Sequence, residues 1–171
     1  MIYIIALFFC SLAVVAQDAV KLKGTITDAN DSKNVALIVD QLYIGESVDT
    51  QNIALNKNAF SHSFTIDRNR LVQLVYKEKV IDLYLEPGDD LLVQITDDRV
   101  SFEGKAAENN RFLQAFTQQF GNRFNSDSLK TQVLLPDANI DKLEFALFDE
   151  RVAQQKFLKQ YDNIGALSSD F

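Results

Sequence analysis

The chain has 171 residues, the length of one domain or of one domain with an appended segment. Hydrophobic residues make up 47% of it, which is enough for a packed core and argues against a disordered chain. The formal net charge of −7 argues against nucleic-acid binding, which needs clustered Lys and Arg, and favours a simple solubilising surface.

The first sixteen residues form an apolar segment that ends before Gln17. Val14 and Ala16 supply the small residues of a signal-peptidase site, and the run is shorter than the ~20 residues that span a bilayer. No Lys or Arg precedes the run, so either the amino terminus alone supplies the charge or the natural start lies upstream. Residues 1–16 are therefore predicted to be a signal peptide that exports the protein to the periplasm or cell envelope. An uncleaved membrane anchor is the alternative.

Cys10 is the only cysteine, and it lies inside this apolar segment. Phe8 and Phe9, which precede it, do not fit a lipoprotein signal. A chain cleaved after Ala16 contains no thiol, which excludes disulfides, thiolate metal sites and thiol catalysis within it.

Residues 17–104 are predicted to be an antiparallel β domain. Hydrophobic residues alternate with period two from Val20 to Phe102, and turn signals interrupt them about every eight to twelve residues. This pattern gives seven to eight short strands and is typical of an antiparallel β-sandwich or barrel. The absence of βαβ alternation disfavours a parallel sheet.

The sharpest turn signal is Glu86-Pro87-Gly88-Asp89. Pro87 presets the second position and Gly88 supplies the positive φ of the third, so a type II turn is predicted to fix the register of a hairpin. Lys77-Glu78-Lys79 and Asp97-Asp98 are predicted to close two further hairpins. The acidic pairs Asp89-Asp90 and Asp97-Asp98 are interpreted as solvated turn caps.

Residues 105–171 are predicted to be a helical segment, because the hydrophobic period changes to 3.6 after Gly104. An apolar stripe on the first helix, which ends near Gly121, is expected to pack against the sheet. This stripe comprises Phe112, Leu113, Phe116, Phe120 and Phe124. A second helix is predicted from about Asp137 or Ile140 to Asn163.

The second helix is apolar on two faces, which indicates two packing partners. One face is expected to pack on the sandwich; it comprises Leu143, Ala146, Leu147, Ala153, Phe157, Leu158 and Tyr161. The other face, Phe145, Phe148 and Val152, is predicted to be an interdomain face. Ser168, Ser169 and Asp170 then resemble a helix N-cap, which leads to the expectation that a C-terminal domain is missing from this sequence.

No catalytic, cofactor-binding or metal-binding constellation is visible in the sequence. His62 is the only histidine, so triads and two-histidine metal sites are excluded, and it is interpreted as a core or edge residue. The stretch Asp28–Asp31 lacks the glycine and the closing glutamate of a calcium loop and is interpreted as a turn.

A polar stretch, Glu103–Asn110, connects the last strand to the first helix. Gly104 breaks the strand, and Glu108 falls in the first helical turn, where its charge suits the helix dipole. Asn109 and Asn110 can bond nearby backbone groups. The stretch is therefore interpreted as a structural joint.

Two segments of the chain, VIDLYLEPGDDLLVQI and FEGKAAENNRFLQAF, resemble the N-terminal region of exported thioredoxin-like proteins of the TlpA disulfide-reductase type from Bacteroidetes. The match covers Leu83 to Phe116, and the flanking strands and helices agree in pattern only. In that family the chemistry belongs to a C-terminal thioredoxin domain with a Cys-x-x-Cys pair. Neither cysteine occurs here, so no catalytic position carries over.

The resemblance implies a non-catalytic domain of an envelope thiol–disulfide oxidoreductase. Such a domain would position or restrict envelope protein substrates for a downstream thioredoxin-like domain, or it would pair with a second copy as a homodimer. The alternative is a self-sufficient exported binding module for a protein or glycan. A hydrolase is disfavoured, because the carboxylates lie in turns without a converging partner.

Overall fold

A computed structural model describes residues 19–27, 33–39, 49–121 and 140–171, with side chains from residue 147 onward in the last range. The predicted signal peptide, the Asp28–Asp31 turn, Phe124 and the side chain of Phe145 lie outside the described residues. The strands are β1 Val20–Ile26, β2 Asn34–Val39, β3 Asp49–Ala54, β4 Ala59–Phe64, β5 Arg70–Tyr76, β6 Lys79–Leu85, β7 Asp90–Ile95 and β8 Val100–Gly104. The helices are α1 Ala107–Phe120, α2 Ile140–Gln160 and the short 3₁₀ helix Ile164–Ala166.

The strands form two four-stranded sheets, which confirms the predicted β-sandwich followed by helices. One sheet has the order β4-β1-β7-β8 and the other β3-β2-β5-β6. Alternate residues of each strand point into one core; β1, for example, alternates buried and exposed residues along its length. The largest fully buried side chains include Leu22, Leu37, Leu74, Leu83, Leu91 and Phe102.

One strand pairing departs from the expected antiparallel pattern. β1 and β7 run parallel, with Leu22 beside Leu91 and Ile26 beside Ile95. The absence of βαβ units, which disfavours a parallel sheet, therefore does not prevent one parallel pair within a sandwich. Parallel neighbours need a long crossover, and here the chain supplies it with strands β2 to β6 instead of a helix.

The Glu86–Asp89 turn has the predicted backbone but not the predicted setting. Gly88 has φ +78°, and the Asp89 N–H donates to the Glu86 carbonyl at 3.1 Å. However, β6 and β7 belong to different sheets, so the turn is an arch between sheets and the hairpin prediction was wrong. Turn chemistry fixes the four turn residues, but it does not decide whether the flanking strands pair.

The two charged turns do close hairpins, as predicted. β5 pairs with β6 up to Tyr76 beside Lys79, and β7 pairs with β8 up to Ile95 beside Val100. The Lys79 ammonium also donates to the carbonyl of Thr96 at 2.6 Å, which joins the two hairpin ends across the sandwich.

α1 packs against β6 and β8, the edge strands on one side of the two sheets. Gly104 ends β8 with φ +101°, and a Cβ built there lies 2.5 Å from the Asp90 carbonyl oxygen, so only glycine fits without movement. Glu108 lies in the first turn of α1, and Gly121, with φ +80°, follows its last residue. Both ends of α1 therefore lie where the sequence predicts them.

Several side chains of the α2 face that was expected to pack on the sandwich are exposed; those of Leu143 and Ala146 lie outside the described residues. Leu147 is 53% exposed, Leu158 is 38% exposed and Ala153 is exposed as well. Phe157 and Tyr161 are the described members of that face that contact α1 rings, and both lie at the C-terminal end of α2 or just beyond it. Of the described side chains, those that join α2 to the rings of α1 therefore lie at the C-terminal end of α2.

Candidate functional site

Asn110, a fully buried residue of α1, bonds the free edge of β6. The Tyr84 N–H donates to Asn110 Oδ1 at 2.9 Å, and Asn110 Nδ2 donates to the Tyr84 carbonyl at 2.9 Å and to the Ala106 carbonyl at 2.8 Å. The carboxamide thus takes the place of a neighbouring strand residue. It satisfies backbone groups that would otherwise be buried without partners.

α1 also satisfies the edge of β8, the outer strand of the other sheet. Arg111 Nη2 donates to the Phe102 carbonyl at 2.7 Å, and Gln114 Nε2 donates to the Val100 carbonyl at 3.3 Å. One helix therefore covers an edge of each sheet with side-chain hydrogen bonds.

Asp89 is buried, so its interpretation as a solvated turn cap was wrong. It is 2% exposed, its Oδ2 accepts the Glu86 N–H at 2.8 Å, and its Oδ1 lies 3.2 Å from Lys105 Nζ. The turn crosses from one sheet to the other, which places this carboxylate against the joint instead of in solvent. Asp90, Asp97 and Asp98 are exposed.

Residues 161–171, here called the C-terminal strap, cross the start of α1 and the edge of β6. The Tyr161 hydroxyl donates to Glu108 Oε1 at 2.8 Å, and the Ser168 N–H donates to Asn109 Oδ1 at 3.0 Å. The Tyr84 hydroxyl donates to the Asp170 carbonyl at 3.1 Å. The residues that the sequence marks as a joint therefore also hold the end of the described chain.

The Tyr161–Glu108 contact holds both groups in their ordinary protonation states at neutral pH. Burial, with the hydrogen bond to Glu108 and its charge, raises the pKa of Tyr161 to about 12. Partial burial acts to raise the pKa of Glu108, but hydrogen bonds from Tyr161 and Arg111 outweigh it and lower that pKa. Near neutral pH the phenol of Tyr161 is neutral and the carboxylate of Glu108 is ionised, and both pKa values lie far from 7. Neither group is suited to proton transfer at that pH, so the contact is structural.

The apolar stripe of α1 packs on α2 and the strap rather than only on the sheet. The Phe112 ring lies 5.7 Å from Phe157, 5.0 Å from Tyr161 and 5.3 Å from Phe171, measured between ring centroids. Phe116 and Phe120 also contact Phe157. The expectation of simple sheet packing was therefore incomplete, because a helix stripe does not reveal which element lies against it.

A cleft of about 780 Å³ opens between the sandwich edge, the two helices and the strap. Most of its wall is apolar, and Arg70 is the only charged residue among the described residues that line it. The lining residues are Asn69, Arg70, Leu71, Tyr84, Phe112, Leu113, Phe116, Gln154, Leu158, Ile164, Leu167, Ser168, Ser169 and Phe171.

His62 lies where the two sheets approach each other on the side away from α1. Its Nε2 is 2.7 Å from Gln51 Oε1, and its ring stacks on Phe64 with centroids 5.4 Å apart. This position agrees with the interpretation of His62 as a core or edge residue. Among the described residues, no group of three or more His, Cys, Asp or Glu side chains could hold a metal ion.

No protein-family model matches this chain, and no curated protein matches it either. The resemblance to TlpA-type proteins therefore stays a prediction. None of the helices in the described ranges is both long and apolar enough to cross a membrane.

Three residues of this region were not singled out as site residues by the sequence: Asp89, Tyr84 and Tyr161. The hydrogen bond from the Glu86 N–H to Asp89 joins residues only three positions apart, so it lies within reach of local sequence reasoning. The contacts of Tyr84 and Tyr161 join residues far apart in the chain, and no local pattern reveals them.

Proposed function

We propose that this chain is a non-catalytic domain of an envelope thiol–disulfide oxidoreductase, where it positions or restricts protein substrates for a thioredoxin-like domain. The observation that carries the proposal is an exposed apolar face on α2. Phe148 is 65% exposed and Val152 is 49% exposed, and as residues i and i+4 they lie on one side of the helix. Leu147, which belongs to the other apolar face of the helix, is also 53% exposed.

Such a patch exceeds the scattered single apolar residues of an ordinary surface and favours a covered interface. In this proposal the thioredoxin-like domain packs on Phe148 and Val152 and is thereby held near the sandwich. A second copy of the chain, packed on the same face, is the alternative occupant.

The roles of the residues that carry the resemblance support a domain without chemistry of its own. Gly88 shapes the arch between sheets, Gly104 permits the close approach to Asp90, and Asn110 bonds the edge of β6. These residues build a scaffold, so their pattern favours a shared fold over a shared active site. The redox chemistry would then belong wholly to the partner domain, because this chain has no cysteine after Cys10.

The experiment is an insulin-reduction assay with dithiothreitol. We expect dithiothreitol to reduce insulin at its uncatalysed rate when the purified chain is present alone, even after prolonged incubation. If the natural gene or operon also encodes a thioredoxin-like domain, the protein that contains both domains should accelerate insulin reduction. Acceleration by this chain alone, or a coding sequence and operon without any Cys-x-x-Cys domain, would contradict the proposal.

The second candidate is a self-sufficient exported binding module, and the cleft beside Arg70 is the observation that favours it. A module of this kind would bind its ligand with unchanged affinity whether or not a redox domain is attached.

A further inference from the structure

We propose that the cleft between the sandwich edge, α1 and the C-terminal strap binds an amphipathic monocarboxylate, with its apolar body among the aromatic side chains and its carboxylate on Arg70. This inference does not depend on the proposed role in an oxidoreductase.

The size and wall of the cleft suit a small apolar molecule. Its volume of about 780 Å³ falls within the roughly 300–1,000 Å³ of small-molecule sites, which combine apolar walls with a few polar groups. Leu158, Ile164 and Phe171 line it and are 38%, 47% and 38% exposed. An apolar ligand would remove this surface from water, which is the main favourable contribution to binding of this kind.

Arg70 gives the cleft its charge preference. Its side chain is only 15% exposed, and Nη2 donates to Asp67 Oδ1 at 2.9 Å. That is the one hydrogen bond found for its side chain within the described part of the protein, while a guanidinium carries five N–H donors. The remaining donors match the two oxygens of a carboxylate, the usual bidentate partner of arginine.

The surrounding charges favour a single negative charge on the ligand over a phosphate or other polyanion. Burial raises the pKa of Tyr84, and the nearby charges of Glu86 and Asp170 raise it further. Asp67 is 61% exposed, and the hydrogen bond from Arg70 lowers its pKa, so it stays ionised beside the guanidinium. Asp67 already pairs with the guanidinium, and the carboxylates beside Tyr84 repel a ligand more strongly as its negative charge increases, so a monoanion is favoured over a polyanion.

The test measures binding of decanoate to the purified protein by titration calorimetry, with decanol, decyl phosphate and decyltrimethylammonium as comparison ligands. Decanoate should bind about tenfold more tightly than decanol, the factor that one charge-assisted hydrogen bond typically supplies. Equal binding of decanoate and decanol, tighter binding of decyl phosphate, or no binding of decanoate would overturn the proposal.

Four variants locate the site. Arg70→Gln should weaken decanoate binding roughly tenfold and leave decanol binding unchanged, while Asp67→Asn should strengthen decanoate binding by releasing the guanidinium. Arg99→Gln is the matched control, because Arg99 is exposed and does not line the cleft, and it should change neither ligand. Ile164→Glu, at a 47% exposed wall position, should weaken both ligands.

If circular dichroism shows that Arg70→Gln does not fold, the Asp67→Asn variant tests the site at Arg70 instead. Tighter decanoate binding by that variant supports the site at Arg70, and unchanged or weaker binding contradicts it. Preferential binding of an apolar peptide over decanoate would assign the cleft to polypeptide and overturn the monocarboxylate.

Discussion

The Tyr161 hydroxyl donates a hydrogen bond to Glu108 across 53 positions of sequence, with 2.8 Å between the two oxygens. The contact ties the strap to the first turn of α1, next to Asn109, which bonds the strap, and Asn110, which bonds the sandwich edge. The end of the described chain is thereby fixed to the same joint that connects the sheets to α1.

Tyr161→Phe should loosen the strap while preserving the aromatic cluster. The variant keeps the ring that lies 5.0 Å from Phe112 and removes only the hydroxyl, so we expect a loss of about 1 kcal/mol in the free energy of unfolding. Hydrogen exchange at the Ser168 amide, which bonds Asn109, should become faster than in the parent protein. Unchanged exchange at Ser168 would show that the strap is held without Tyr161.

The same pair predicts how stability depends on pH at both extremes. The folded pKa of Glu108 is lowered, so its contribution is present above the unfolded pKa of ~4.3 and is lost as pH falls through the folded value. The folded pKa of Tyr161 is raised to about 12, so its contribution is present below the unfolded pKa of ~10 and is lost as pH rises through about 12.

Urea denaturation across pH checks this dependence. Glu108→Gln should reduce the loss of stability in acid, and Tyr161→Phe should reduce the loss between about pH 10 and 12. Profiles parallel to that of the parent protein in both ranges would contradict the assignment.

Asn110→Ala should be among the most destabilising substitutions on α1. It leaves the Tyr84 N–H and two carbonyls without their side-chain partner, at a cost of about 1–3 kcal/mol. Gln114→Ala is the control on the same helix, since its single bond to Val100 is longer, at 3.3 Å, and half-buried. Equal losses for the two variants in urea denaturation would show that the carboxamide is not what holds α1 to β6.

Gly104 and Gly121 form a matched pair, because both have positive φ, at +101° and +80°. A Cβ at Gly104 lies 2.5 Å from the Asp90 carbonyl oxygen, whereas nothing lies within 4 Å of one at Gly121. Both alanine variants incur roughly 1–3 kcal/mol of backbone strain, and Gly104→Ala adds the steric clash. The melting temperature should therefore fall further for Gly104→Ala, and a larger fall for Gly121→Ala would contradict this account.

The sequence pattern predicted those features of the fold that are determined by residues close together in the chain. The period-two alternation gave the strands, and the charged residues after Tyr76 marked a hairpin, because both depend on neighbours in sequence. The sequence pattern does not indicate the parallel pairing of Leu22 with Leu91, because five strands, β2 to β6, separate the two residues in the chain. The burial of Asp89 was missed for the same reason: it depends on which sheets the turn joins.

The candidate site likewise contains some features that the sequence indicates and others that it does not. The sequence marks Asn109 and Asn110 as backbone-bonding residues of a joint, because asparagine beside a helix start commonly bonds main-chain groups. It does not indicate that Tyr84 is the partner of Asn110, or that Arg70 faces a cleft built partly from the strap. The bonds between Asn110 and Tyr84 exist only once α1 has packed on β6, and the cleft exists only once the strap has folded back onto β6.

Site-specific photo-crosslinking from Phe148 tests the central claim most directly. The protein is produced in its native host with benzoylphenylalanine in place of Phe148. A control protein carries the same group in place of Val80, an apolar residue on β6 that is 54% exposed. We expect the Phe148 position to crosslink to a thioredoxin-like domain that contains a Cys-x-x-Cys pair, and the Val80 position not to do so. Crosslinks from Phe148 only to a second copy of this chain, or none at all, would contradict the account.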